Sequence, residues 1–132
     1  MRTLILALIL AACAAASSAQ AGAVPVISDC GKFSAKPKEI TLFCADAGAV
    51  LRNLSWSSWG GAKASATGIK SANDCSPNCA AGHFHSYPVA VAAGRLTKCG
   101  LSWHYNLLTV RFTRTPPKGQ DRVNTFTFTC KR

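Results

Sequence analysis

The residues closest to metal chemistry are Cys75 and Cys79, followed by His83-Phe84-His85. Two thiolates and two imidazoles form a donor set that zinc accepts. The spacing Cys-x3-Cys-x3-His-x-His fits no structural zinc pattern, and His-x-His is shorter than finger spacings. Disulfide formation is the expected fate of these cysteines, and no metal or cofactor is expected. His104 lies between Trp103 and Tyr105, where strand alternation turns it toward solvent. The acids are Asp29, Glu39, Asp46, Asp74 and Asp121, and no two sit at short range as an acid–base pair. The chain holds no Gly-x-Ser-x-Gly elbow, no His-Glu-x-x-His and no phosphate-cradling glycine loop. The expectation is a non-catalytic protein. A secreted hydrolase or enzyme inhibitor, with its site assembled only in the fold, is the alternative.

Charge points to a class of partner. Residues 22–132 carry 14 Lys and Arg against 5 Asp and Glu, a net charge of +9. Arg95, Lys98, Arg111, Arg114, Lys118, Arg122, Lys131 and Arg132 stand against Asp121 alone in the last part of the chain. Arg111 alternates with Val110 and Phe112 and therefore projects outward. The first six of these cations are the candidate contacts for an anionic cell-wall polymer, a glycan or a lipid surface. No nucleic-acid fold motif is present, so no specific nucleic acid is expected. Trp56 and Trp59 offer a sugar-stacking platform, but an ideal strand sends them to opposite faces, one to the core and one to an edge or turn.

The amino terminus reads as an export signal. Arg2 is a positive start, Thr3 to Ala16 are uncharged and mostly apolar, and Ala19-x-Ala21 fits a small-x-small cleavage site. Residues 1–21 are read as a signal peptide and 22–132 as one exported domain. The apolar run falls short of the roughly 20 residues that span a bilayer. Leu10-Ala11-Ala12-Cys13 also has the form of a bacterial lipobox. Lipidation at Cys13 would tether the domain to the outer face of the cell membrane, whereas cleavage after Ala21 releases it.

The elements that must position these residues are short strands. Val24 to Ile27 could begin the domain as an edge, given Pro25. Ile40, Leu42 and Cys44 alternate with polar or outward positions, and Leu54 and Trp56 share a face. Ala62, Ala64, Ala66 and Gly68 give a thin apolar side. Further alternating sets are Tyr87, Val89, Val91; Leu101, Trp103, Tyr105; Leu108, Val110, Phe112; and Phe126, Phe128, Cys130. Turn signals fall at Trp59-Gly60-Gly61, Ala93-Gly94 and Pro116-Pro117-Lys118-Gly119. The pattern is all-β: an antiparallel β-sandwich of about seven to eight short strands, with a small β-barrel as the alternative.

Beyond Cys13, six cysteines remain, an even count that reads as a disulfide framework in an exported chain. Six cysteines allow 15 connectivities. Cys75 and Cys79 lie in a turn-rich segment and can close a tight loop. Cys30 and Cys44 would tie the first strand to the second, and Cys99 and Cys130 lie beside the last strands.

Four segments taken in order are Cys44-Ala45-Asp46, Leu54-x-Trp56-x-x-Trp59-Gly60, Ala64-x-Ala66-x-Gly68, and Cys75-x-Pro77-x-Cys79-x-x-Gly82. This order resembles a family of small secreted proteins of actinobacterial type, over about residues 30–92. Ala47 and Ala49 stand where that pattern has larger or polar residues. The resemblance implies an exported bacterial domain in which Cys30–Cys44 and Cys75–Cys79 form the shared framework. Cys99 and Cys130 fall outside it, and no activity comes with it. The exit route has a direct check: intact mass of the exported protein should correspond to a chain starting at Gly22 without lipid. A mass that requires acylated Cys13 would replace the free domain by a tethered one.

Overall fold

The computed structural model describes residues 22–130; the segment read above as a signal peptide, with Cys13, lies outside the described residues. Eight strands run in order: β1 Ile27–Asp29, β2 Lys32–Ser34, β3 Ile40–Thr41, β4 Ala49–Ser58, β5 Ala64–Asn73, β6 Phe84–Cys99, β7 Ser102–Phe112 and β8 Val123–Thr127. β1 and β2 make a small ribbon, and β3 to β8 form one antiparallel meander in chain order. The all-β antiparallel architecture therefore holds. Its larger layer is curled into a half-barrel, with the ribbon packed at its mouth.

Period-2 alternation decides which face is inside. Ala64 and Ala66 of β5, Val89, Val91 and Ala93 of β6, and Leu108, Val110 and Phe112 of β7 are buried in one cluster with Ile27, Ile40, Leu51 and Leu54. The absence of a side chain at Gly68 lets the neighbouring β4 approach closely at its bulge. A Cβ there would come within 2.8 Å of Leu54 Cδ2 and 2.9 Å of Arg52 O.

Two irregularities in β4 produce the curl. Between Arg52 and Ser55 the register against β5 gains one residue, and Asn53 takes a positive φ of 53°. A second residue is gained between Trp56 and Ser58. Each is a bulge that bends the strand and resets which side chains face inward. The second bulge corrects the expectation for the tryptophans. An extra residue between them restores a common face, and their rings meet edge-to-face at 4.5 Å.

A second corner lies in β6 and β7. Ala93 pairs with Leu108 and both point inward, yet Leu96 pairs with Tyr105 and these too pack on the core. The inward phase flips at Arg95, whose φ is 51°. Ala93-Gly94 is therefore no turn; it lies inside a 16-residue strand that bends there. The true hairpin turn follows Cys99, and Leu101, expected on a strand face, sits at its tip with 96% exposure.

The start of the domain also differs from the alternation. Pairing in the ribbon begins at Ile27, while Val26 bridges in parallel to His104 through Val26 N–H to Trp103 O (2.9 Å) and Tyr105 N–H to Val26 O (3.0 Å). Only Ile40–Thr41 of the expected Ile40–Cys44 strand pairs, because Leu42 N–H already closes the turn onto Ala49 O at 2.9 Å. His104 is half-buried rather than fully solvated, with its ring 4.9 Å from Phe33.

Three disulfides staple the fold: Cys30–Cys44, Cys75–Cys79 and Cys99–Cys130. The first holds the ribbon turn to the loop after β3, and the third holds the end of β6 to the chain after β8. Bridges of this kind contribute roughly 2–4 kcal/mol each, more for longer loops. Inside the β5–β6 loop, Asp74 organises the backbone. Its Oδ1 accepts from His83 N–H (2.9 Å) and Ser76 N–H (3.1 Å), and its Oδ2 lies 2.8 Å from His85 Nε2. Backbone donation from His83 comes first among the causes, followed by His85 and Ser76, and the carboxyl is lowered to about 2. A depressed carboxyl stabilises the fold above its unfolded value and loses that contribution as pH falls through the folded one. Amide signals of Ser76 and His83, followed by NMR, should stay unchanged down to about pH 3 and shift with a midpoint near 2. A midpoint at the ordinary 3.8 would remove Asp74 from this role.

Candidate functional site

A meander that curls without closing leaves two edges facing each other. Here β3 and β8 are the ends of the six-stranded sheet, and no Cα of one lies within 8 Å of the other. The seam between them is lined on one side by the ribbon, Leu42 and the Cys30–Cys44 bridge, and on the other by Thr125 to Thr129. It forms a cleft of about 580 Å³. Phe43 and Phe126 meet across the seam, edge-to-face at 5.9 Å. Past them a second cavity of about 400 Å³ opens on the inner face of β5.

The inner end of that second cavity holds Lys70. On β5 it follows Ala64, Ala66 and Gly68 in the inward phase, so alternation drives an ammonium into a position suited to an apolar side chain. Only 4% of the residue is exposed. Its Nζ donates to Asn124 Oδ1 (3.2 Å) and Gln120 Oε1 (3.3 Å), and it sits 4.9 Å from the centre of the Phe112 ring. No carboxylate lies within 4.0 Å of it among the described residues, whose ion pairs are Arg52–Glu39 and His85–Asp74. Burial lowers its pKa from the usual 10.5. Asp121 and Asn73 also line the cavity, at its polar side.

The surface cations fall in two groups. Arg111 lies opposite Val123 at one end of the β7–β8 hairpin, and Arg114, Lys118 and Arg122 lie in the loop that joins the two strands there. Arg122 Nη1 donates to Phe112 O (3.3 Å) and Arg114 O (3.2 Å), which holds its guanidinium at the hairpin mouth. Lys98 lies near the other end of the sheet, opposite Trp103, and Arg95 stands at the corner of β6, between the pairs Gly94–Leu107 and Leu96–Tyr105. Eight strand positions separate Trp103 from Arg111, about 26 Å of extended chain. All six cations are exposed. The structure thus brings four of the sequence-predicted contacts together and leaves two apart.

The two tryptophans are not an open platform. Trp56 Nε1 donates to Pro37 O (2.8 Å), Trp59 Nε1 donates to Pro25 O (2.9 Å), and Trp59 packs on Tyr105. Both are half-buried plugs at the end of the core away from Lys70. Cys75 and Cys79 are joined to each other, so neither is a thiolate donor, and His85 faces Asp74. Among the described residues no three His, Cys, Asp or Glu groups are disposed around a metal position.

Compared with known proteins, the chain matches no family model, no curated protein and no solved structure. The site is therefore read from its own chemistry. Lys70 escaped the sequence analysis because Ile69-Lys70-Ser71 looks like an ordinary strand end. The available signal was its even-numbered phase with Ala64, Ala66 and Ala72.

An unpaired buried ammonium opposes folding, and its apolar replacement is expected to help. Lys70→Met, of similar length, should raise unfolding free energy at pH 7 by about 1 kcal/mol or more in urea denaturation. Because the folded pKa is depressed, the unfolded chain binds more protons just below 10.5, and stability rises with pH toward that value. The advantage of Lys70→Met should therefore shrink at pH 10. A destabilised variant at both pH values would make Lys70 a structural strut.

Proposed function

We propose that this chain is an exported, non-catalytic module of the cell envelope or extracellular space that binds polyanions through its surface. The observation carrying this reading is the cluster Arg111, Arg114, Lys118 and Arg122. These side chains are exposed, and none lies within 4.0 Å of a carboxylate among the described residues. A row of unpaired cations attracts repeating anionic groups, such as those of a cell-wall polymer, an acidic glycan or a lipid surface. Arg122 has lost part of its freedom to two backbone carbonyls, so less ordering is needed when an anion docks.

Three disulfides fit an oxidising compartment outside the cytosol. No helix among the described residues is long and apolar enough to cross a membrane. The likeness of residues 30–92 to small secreted actinobacterial proteins points the same way.

Retention on heparin tests the reading. The protein should stay bound above about 0.15 M salt. Replacing Arg111, Arg114 and Arg122 by Gln should move elution well below that point, whereas Arg95→Gln with Lys98→Gln should move it little. Elution of the unaltered protein in the void volume, or equal shifts from both sets, would contradict it.

A further inference from the structure

The buried lysine asks for an occupant that the surface cations do not explain. Lys70 is 4% exposed, and its visible partners are two neutral amide oxygens and a ring face. Burying a charge without an opposite one in contact is unfavourable, and an anion reaching the ammonium would restore the missing partner. The cavity leading to it is about 400 Å³, within the range of small-molecule pockets. Its walls are mixed in a particular way. Phe43, Ala49, Ala72 and Phe126 supply apolar surface, while Lys70, Gln120 and Asn124 converge at one end. Asp121 lines the same cavity and disfavours dianions and polymers of high charge density.

We propose that this cavity binds a small monocarboxylate with an apolar or aromatic body, its carboxylate against Lys70 Nζ and its body against Phe43 and Phe126. The mouth of a partly open barrel is a common place for such a ligand. Asn124 and Gln120 now occupy donors of the ammonium and turn aside or share it when the carboxylate arrives. The cavity shares the β7–β8 loop with the arginine cluster, through Gly119, Gln120 and Asp121, but uses a different cation and does not depend on the polyanion reading.

Titration of the 15N-labelled protein with benzoate tests this, with benzamide and inorganic phosphate as controls. Benzoate should shift the amide signals of Ala72, Gln120 and Phe126 saturably. Benzamide, equal in shape and lacking the charge, should bind at least about tenfold more weakly, because a charge-assisted hydrogen bond is lost. Phosphate should not displace benzoate. Lys70→Met should abolish the shifts, whereas the Arg111, Arg114, Arg122 to Gln variant should keep them. The comparison of benzoate with benzamide uses the unaltered protein and holds whether or not Lys70→Met folds. No saturable shift with benzoate at tens of millimolar would overturn the proposal. So would equal binding of benzamide, displacement by phosphate, or retained binding in a folded Lys70→Met protein.

Discussion

The curl of the sheet is locked by one side chain. Tyr105 is fully buried on β7, and its hydroxyl donates to Gly61 O at 2.7 Å while accepting from Gly60 N–H at 3.0 Å. These contacts fasten the far end of β7 to the β4–β5 loop, two strands away in the sheet. The ring packs on Trp59, which packs on Trp56, and the backbone N–H of Tyr105 holds Val26. One residue therefore joins the meander, the loop and the incoming chain. These two bonds satisfy the buried hydroxyl itself, which would cost about 1–3 kcal/mol if left unpaired.

Closure at one end leaves the other open. The β4 bulges and the phase flip at Arg95 bend the sheet enough to meet at Tyr105, but six strands do not complete the circle. β3 is only two residues long and cannot reach β8. The ribbon and the Cys30–Cys44 bridge partly cover the gap, and Phe43 on Phe126 is the contact across it. A barrel that fails to close must fill its interior from its own side chains or leave room. Here room is left where Ala49 of β4 and Ala72 of β5 face the loop before β8, and Lys70 borders it. A buried charge kept at the expense of stability is the pattern expected of a functional position.

Much of this fold was legible because alternation is a strong signal. Val89, Val91, Leu108, Val110, Phe112, Phe126 and Phe128 declare their inward phase directly. Two of the misreadings share a cause: a strand that bends changes its period. The bulge near Ser57 brought Trp56 and Trp59 together, and Arg95 turned an apparent Ala93-Gly94 turn into a corner within β6. Neither leaves a local mark: no glycine or proline stands at Ser57, and Arg95 adopts a positive φ that its residue type does not announce. The site was hidden for a different reason. Lys70 is assembled with Gln120 and Asn124 across at least 50 residues of sequence, which no spacing rule captures. Surface cations were easy to name, but their division into two groups needed the register of β6 and β7.

Native-state hydrogen exchange tests the half-open barrel most directly. In β8 the even residues face β7, as the bonds Phe128 N–H to Asn106 O and Phe112 N–H to Arg122 O require, so the amides of Thr125 and Thr127 point into the seam. A sheet locked at Tyr105 and open at β8 predicts slow exchange for Phe126, Phe128 and Gly60, and fast exchange for Thr125 and Thr127. Protection of Thr125 and Thr127 equal to that of Phe126 would mean that the seam is paired shut, and would contradict the open architecture.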